Sequence, residues 1–209
     1  MSPVKAVEAP TLELIKSLQS KPYLQGFYLV GGTALALHLD HRKSFDIDLF
    51  SNFDFDAARL LEQIQQDFSY QMFFSSTNTL KGSIGNINVD LLAHRYKLIA
   101  EPEMLHGVNV LSVPDIIAMK LNAISTSGQR SKDFIDIFYL LKNYDLGKMI
   151  KFYQEKYNQQ NAGHILKSLI YFNDVDLADW PVLIENPKLK WVDVKKRIEK
   201  AVMEYVRRG

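Results

Sequence analysis

The chain has 209 residues, 47% hydrophobic and 23% charged, a composition typical of a folded protein rather than a disordered tail. Its 25 Lys and Arg residues nearly balance 24 Asp and Glu residues, and the formal net charge of +1 argues against a nonspecific nucleic-acid coat. Because cysteine is absent, disulfides, thiolate nucleophiles, iron–sulfur clusters and cysteine zinc sites are excluded, so any metal must be held by oxygen or imidazole. No run approaches the ~20 apolar residues of a spanning helix and the N-terminal segment lacks a signal-peptide pattern, so we expect a cytoplasmic protein.

The first half of the chain mixes helical and strand patterns. In chain order the patterns predict a helix over 11–19, a strand over 26–30, a helix over 33–39 capped by Thr33, a strand over 44–50, a helix over 54–66, and strands over 69–76 and 83–94 separated by a turn at 77–82.

The second half has a different character, because helical spacing of apolar residues continues through most of it. The predicted helices cover 114–126, 130–144, 145–157, 163–172 and 192–208, and Pro114 stands at an early helical position. We therefore predict an α/β domain over residues 1–110 and a helical domain over 111–209, which could also share one core.

Three aspartates on predicted strands are the first candidates for chemistry. Asp46 and Asp48 are two residues apart, so they share a strand face, and Asp90 lies on a later strand. Neighbouring carboxylates repel each other unless a cation lies between them, and Mg²⁺ prefers carboxylate oxygens and is commonly shared with substrate phosphates. The alternative interpretation is the exposed polar face of a half-solvated strand.

A glycine pair lies upstream of these aspartates, at a predicted strand-to-helix corner. Free amide groups and the helix dipole favour phosphate at such a corner, and Gly31 and Gly32 permit close approach of a ligand to the backbone. The Thr33 hydroxyl is a further candidate donor. The motif is neither GxGxxG nor GxxxxGK[ST], and this argues against a Rossmann dinucleotide site and against a Walker-type NTPase.

The segments LVGGTALALHLDHRKSFDIDLF and MKLNAISTSGQRSKDFIDIFYLL together resemble the AbiEii/AbiGii toxin family of the DNA polymerase β-like nucleotidyltransferase superfamily. The resemblance spans about residues 24–205. It implies an α+β fold in which a small mixed-sheet nucleotidyltransferase domain is followed by a helical C-terminal domain, with a cleft between them. Where many superfamily members have Gly-Ser, this chain has Gly32-Thr33, which keeps a hydroxyl at that position.

The resemblance also implies roles for individual residues. The implied triphosphate contacts are Gly31, Gly32 and Thr33, the implied ligands of one or two Mg²⁺ ions are Asp46, Asp48 and Asp90, a further implied phosphate contact is Lys120, and the implied supporting residues are Asp133 and Asp136. Arg130 and Lys132 are nucleotide-binding candidates because they stand at a predicted helix start, where basic charge is slightly unfavourable unless a ligand or an acidic partner lies nearby. Asp90 would hold the metal beside the acceptor hydroxyl and take its proton. For Lys120 the alternative is a lysine at the edge of a helical core, and for Lys132 with Asp136 an ordinary i, i+4 pair.

The implied reaction is transfer of a nucleoside monophosphate from an NTP to an acceptor hydroxyl, with release of pyrophosphate. Kinship implies a toxin component of a toxin–antitoxin or abortive-infection system, with tRNA or another RNA as candidate acceptor and a cognate antitoxin as candidate partner. A small-molecule acceptor, a catalytically idle nucleotide-binding module and a phosphohydrolase remain alternatives.

The remaining polar and aromatic features are expected to be structural. The pair His38 and His41 is not expected to bind zinc. Arg42 and Lys43 could neutralise phosphate or acceptor RNA, but as loop cations they are expected to be solvated. The aromatic-rich segments near 134–141 and 168–172 fit helix cores better than stacking surfaces, and the basic last helix is expected to be a solvated face.

Overall fold

The computed structural model describes residues 4–208, which form eight α-helices and seven β-strands. They divide into two compact units, one formed by residues up to Lys97 together with Glu101–Leu111 and the other by Leu98–Ala100 together with the chain from Ser112 onward. Residues 1–3 and 209, at the outer ends of the two predicted domains, lie outside the described part. The domain boundary at 110 and the roles assigned to the two domains stay predictions. Within residues 4–208, no helix combines the length and the apolar character that crossing a membrane would require.

The first unit, called the sheet unit below, contains three helices and a mixed seven-stranded sheet. Its elements are α1 (Ala9–Gln19), β1 (Tyr28–Leu29), α2 (Gly31–Leu39), β2 (Ile47–Ser51), α3 (Ala57–Asp67), β3 (Tyr70–Ser76), β4 (Thr79–Ile84), β5 (Ile87–Ala93), β6 (Glu103–Leu105) and β7 (Val108–Val110). The strand order is β3-β4-β5-β2-β1-β7-β6. Strand β2 runs parallel to β5 and antiparallel to β1, while β1 runs parallel to β7.

The alternating pattern of β2 and β5 explains how the sheet divides its two faces. Ile47 and Leu49 on β2 and Val89 and Leu91 on β5 are fully buried, whereas the residues between them are half-buried. Side chains alternate between the two faces of a strand, so the apolar set lies on the core face and the intervening polar set lies on the other. The predicted α+β fold, a mixed sheet followed by helices, is confirmed.

The predicted turn at 77–82 is wrong, because most of it belongs to strand β4. The turn is confined to Thr77 and Asn78, and Asn78 adopts a positive φ of 59°. Gly82, interpreted as a turn residue, lies inside the strand, and the Tyr70 ring occupies the space that a side chain at this position would need. Close approach of a neighbouring group is a common reason for glycine in a strand interior. The hairpin of β6 and β7 was not predicted either.

The second unit, called the helical unit below, contains the remaining five helices. They are α4 (Val113–Thr126), α5 (Ser131–Leu140), α6 (Leu146–Tyr157), α7 (Gly163–Leu169) and α8 (Trp191–Arg208). All five predicted helices are confirmed, and Pro114 lies in the first turn of α4 as expected.

A buried ion pair fixes α4 against α6. Asp115 accepts hydrogen bonds from the Ser112 hydroxyl at 2.7 Å and from the backbone amides of Ile99 and Ala100 at 3.1–3.3 Å. The Nζ atom of Lys156 lies 2.7 Å from Asp115 Oδ1, and both side chains are almost completely buried. Since a buried charge is tolerated when it is paired and hydrogen-bonded, this network lets an acidic residue occupy the core of the helical unit.

Candidate active site

Three charged side chains form a row across the polar face of the sheet. Asp48 on β2 pairs in register with Asp90 on β5, and Asp90 pairs with Lys81 on β4. Directly paired residues point to the same face, and neighbouring strands lie about 4.8 Å apart. We call Asp48, Asp90 and Lys81 the carboxylate row.

Lys81 is the member of this row that the sequence analysis missed. Its Nζ atom lies 2.7 Å from Asp90 Oδ2, and the two side chains are 45% and 23% exposed. The cation reduces the repulsion that Asp48 and Asp90 would otherwise experience side by side. The signal that could have found Lys81 is the two short turns, at 77–78 and 85–86, which leave room for one six-residue strand between them.

Asp46 lies one residue before β2 and is exposed. Its Oδ1 atom accepts a hydrogen bond from Asn88 Nδ2 at 3.0 Å. Among residues 4–208, no three acidic or histidine side chains gather closely enough to hold a metal ion. The structure therefore brings Asp48 and Asp90 together as two oxygen donors of the type that Mg²⁺ prefers, and engages Asp46 with Asn88.

The glycine corner lies directly beside the carboxylate row. Gly31 has a φ of +72°, and a side chain there would overlap the carboxylate of Asp48. A Cβ atom on Gly32 would lie 2.6 Å from Nη2 of Arg42. The backbone amide of Val30 also bonds to the Asp48 carbonyl at 2.9 Å. Glycine is favoured at position 31 by its positive φ and by the nearby carboxylate, whereas a side chain at position 32 would require the Arg42 guanidinium to move.

Thr33 does not cap the helix as predicted. Helix α2 begins at Gly31 with Val30 in the cap position, so Thr33 lies inside its first turn. The Thr33 hydroxyl is buried, donates to the Asp46 carbonyl and lies 2.9 Å from Ser44 Oγ. It ties the corner to the segment that leads into β2. Its role towards phosphate stays a prediction.

Arg42 also differs from expectation, because it is buried rather than solvated. It is only 2% exposed, donates from Nη1 to the Lys43 carbonyl at 3.1 Å and places Nη2 next to Gly32. A buried guanidinium beside the first turn of a helix adds positive charge where the helix dipole is already positive. The corner predicted to bind phosphate therefore has a buried cation beside it, and this burial was not predicted from the sequence pattern.

The helical unit contains a second charged cluster, formed by Lys120 on α4 with Asp133 and Asp136 on α5. Lys120 Nζ lies 2.5 Å from Asp133 Oδ1 and 2.7 Å from Asp136 Oδ2. The three side chains are 7%, 5% and 0% exposed. Asp133 and Asp136 are three residues apart and so share one helix face. Asp133 and Asp136 therefore both pair with Lys120, and their supporting role and the contact of Lys120 with a nucleotide stay predictions.

The two other predicted cations lie at the start of α5. Arg130 occupies the N-cap position, with its side chain 59% exposed and its Nε atom 4.0 Å from Asp133 Oδ2. Lys132 pairs with Asp179 at 2.6 Å. The backbone amide of Asp176 donates a hydrogen bond to the Gln129 carbonyl at 2.8 Å, and this contact fixes the backbone at Gln129 and Arg130. Arg130 is the more accessible of the two cations.

A mixed sheet with paired strand carboxylates beside a glycine corner defines the nucleotidyltransferase class of fold, and solved structures agree with it. MenT4, a nucleotidyltransferase toxin from Mycobacterium tuberculosis H37Rv, is similar with a TM-score of 0.58 and 14% identity, over 93% of this chain and 84% of that one. Protein JHP933 of Helicobacter pylori is similar with a TM-score of 0.59 and 14% identity, over 97% and 94% of the two chains. At these identities the likeness establishes the fold.

The model of the family described as nucleotidyl transferase AbiEii toxin, type IV toxin–antitoxin system, matches residues 14–98 and 93–207. The chain belongs to this family, as its two sequence blocks indicated, and is accordingly a nucleotidyltransferase. An uncharacterized protein of Aquifex aeolicus (strain VF5) is 30% identical over 200 residues, which cover 93% of this chain and 95% of that protein.

Proposed function

We propose that this protein is a Mg²⁺-dependent toxin that transfers a nucleoside monophosphate from an NTP to an acceptor hydroxyl. The observation that carries the proposal is the in-register pair Asp48 and Asp90, on parallel neighbouring strands, directly beside the Gly31 corner. Two carboxylates and a backbone corner suited to phosphate are the parts that a metal-assisted phosphoryl-type transfer requires.

The glycine corner is proposed to hold the triphosphate. The amides of Gly31 and Gly32 lie in the first turn of α2, where backbone N–H groups lack helical acceptors and the dipole is positive. Arg42 adds a buried positive charge next to Gly32. Thr33 holds the corner in shape through the Asp46 carbonyl.

Asp48 and Asp90 are proposed to hold one or two Mg²⁺ ions, with Asp46 completing the set when it leaves Asn88. A bound ion would neutralise charge that develops on the phosphate oxygens. Asp90 would accept the proton of the acceptor hydroxyl while the acceptor oxygen bonds to the α-phosphorus and the bond from that phosphorus to the leaving pyrophosphate breaks. Lys81 pairs with Oδ2 of Asp90, so transfer of the proton to that oxygen would displace the ammonium.

For the helical unit, the proposal assigns Lys120 to a nucleotide phosphate, and Asp133 and Asp136 to positioning Lys120. Arg130, which is largely exposed, would contribute a further phosphate contact, as would Lys132. The cluster contains two carboxylates and one ammonium, so it carries one excess negative charge. Arg130, which lies near Asp133, also balances this charge.

The proposed acceptor is an RNA, with tRNA as the first candidate, and the proposed regulator is a cognate antitoxin. The antitoxin is supported by the description of the family as part of a toxin–antitoxin system, and the RNA acceptor is the candidate that the family resemblance implies. A small-molecule acceptor is the competing class, and transfer assays with both acceptor types distinguish them.

The test is transfer of label from each α-³²P NTP in the presence of Mg²⁺, with total RNA or a small-molecule extract as acceptor. We expect Asp48→Asn to lose transfer on the order of 100-fold or more, the cost of removing one group that stabilises developing charge. Chelation of Mg²⁺ should abolish transfer by the unmodified protein. Asp67→Asn is the matched control, since Asp67 is an exposed acid of the same unit that pairs with Lys21. Full turnover by Asp48→Asn would refute the assignment.

A further inference from the structure

An aromatic stack with neighbouring cations stands at the end of the two strands that carry Asp48 and Asp90. The ring of Phe50 lies 5.7 Å from that of His94 at an interplanar angle of 30°, and His94 lies 4.7 Å from Tyr96 at 50°. These separations are in the range for favourable ring contacts. We call Phe50, His94 and Tyr96 the aromatic stack.

The stack lies on the same face of the sheet as the carboxylate row. Phe50 follows Asp48 by two residues on β2, so both side chains point away from the core that Leu49 occupies on the other face. Two residues along a strand span ~7 Å, so the stack begins about one nucleotide's length from Asp48.

The backbone holds this segment in a defined conformation. The His94 amide bonds to the Ser51 carbonyl at 2.7 Å, which extends the pairing of β2 with β5 beyond the end of β5. The Tyr96 amide bonds to the His94 carbonyl at 2.8 Å, a tight turn that brings the Tyr96 ring to His94. A ligand that docks on a preformed surface does not have to order it first.

The stack does not have the burial expected of a core cluster. Tyr96 is 45% exposed. Arg95 and Lys97, on either side of it in the sequence, are also exposed. Arg95 pairs with Asp54 at 3.2 Å, but these side chains are 66% and 60% exposed, so water screens the pair and a phosphate can compete for the guanidinium.

From these observations we propose that residues 94–97, with Phe50, bind the unpaired strand of a nucleic-acid acceptor: a base stacks on Tyr96 and the adjacent phosphates contact Arg95 and Lys97. Rings alternating with cations suit a strand, in which bases and phosphates also alternate. A paired base hides its faces in the duplex, so the site selects single strands. The proposal rests on the proposed function, to which it adds a binding site for the acceptor strand.

The first test measures binding of a fluorescein-labelled 12-nucleotide RNA, the same sequence as DNA, and the corresponding duplex, by fluorescence anisotropy. Tyr96→Ala should raise the Kd for the single strands about 5- to 150-fold, the effect of losing one stacked base, while Tyr96→Phe should restore it. Arg95→Gln should lower the salt dependence of binding by about 0.7 in the log–log slope, the value for one phosphate contact in a single strand.

Tyr171→Ala is the matched control, because Tyr171 is 52% exposed in the helical unit and belongs to neither the stack nor the carboxylate row. The proposal is overturned if Tyr96→Ala binds single strands as the unmodified protein does. It is also overturned if the duplex loses affinity equally, or if NTP binding rather than strand binding is weakened.

The binding test and the transfer test can refute the acceptor site and the proposed reaction independently of each other. Transfer to small molecules alone, without strand binding, would leave the proposed nucleotidyl transfer intact and refute the acceptor site. Strand binding that depends on Tyr96, in a protein that transfers no label to any acceptor, would support the site and refute the proposed reaction.

Discussion

Two buried lysines of the helical unit allow the functional and structural roles of a buried charge to be separated. Lys120 is paired with Asp133 and Asp136, and Lys156 is paired with Asp115. Both ammonium groups lie within 2.7 Å of a carboxylate and are almost inaccessible to water. Only Lys120 has a proposed contact with nucleotide.

Replacing either lysine with methionine should strongly destabilise the protein. Removal of one partner from a buried pair leaves an uncompensated charge and costs about 3–5 kcal/mol. For a chain of this length, 1 kcal/mol shifts Tm by roughly 2–4 °C, so each variant should melt ~6–20 °C below the unmodified protein. In Lys156→Met, combination with Asp115→Asn should recover part of this loss, because the remaining buried group is then neutral.

The decisive comparison is transfer activity at a temperature at which both variants remain folded, as judged by circular dichroism. Lys156→Met should retain the specific activity of the folded protein, whereas Lys120→Met should lose it. If Lys120→Met is folded and fully active, the cluster of Lys120, Asp133 and Asp136 is structural and its assignment to nucleotide is wrong. If Lys156→Met is not destabilised, the burial argument itself fails.

Two further predictions concern the sheet unit. Gly31→Ala should cost about 1–2 kcal/mol because Gly31 has a positive φ of 72°, and it should also abolish transfer because the new Cβ overlaps Asp48. Gly85 also has a positive φ, of 59°, but open space around it, so Gly85→Ala should cost similar stability and keep activity. The hydrogen bond from Lys21 lowers the pKa of Asp67, so this carboxylate stabilises the fold above the ordinary Asp pKa, and the stabilisation disappears as the pH falls through the lowered value. Urea unfolding between pH 2 and 6 should show a shallower acid loss for Asp67→Asn, and an unchanged slope would contradict the linkage.

The local part of the site could be predicted from the sequence, since it depends on neighbours along the chain. The alternation of Ile47, Asp48 and Leu49 between faces follows from strand geometry, and the Gly31 corner follows from an apolar run that ends before a helix. Asp90 was a candidate from its predicted strand, and the family resemblance added its role and that of Lys120. Contacts between residues far apart in the sequence could not be predicted from the local sequence pattern.

Lys81 illustrates the difficulty. It lies between Asn78 and Gly82, two residue types that usually mark turns, so its strand was interpreted as a turn. The Gln71 carbonyl and the Tyr70 ring lie where a side chain on Gly82 would be, and these contacts, which explain the glycine, join two strands. The row that Lys81 completes therefore depends on tertiary packing that the local sequence does not encode.

The burial of Arg42 was not predicted, for the same reason. A cation in a polar loop is ordinarily solvated, and its burial depends on the close approach of Gly32, ten residues earlier in the chain. Likewise, helical periodicity placed Asp133 and Asp136 on one face but could not show that Lys120 from another helix meets both.

The three-residue segment Leu98–Ala100 gives the chain an interlaced path, because it belongs to the helical unit while Glu101–Leu111 returns to the sheet unit. The amides of Ile99 and Ala100 are donors to the buried carboxylate of Asp115. A fragment that begins after residue 110 would lack these donors. An isolated helical unit can therefore keep all the hydrogen bonds of this buried carboxylate only if residues 98–100 accompany its helices.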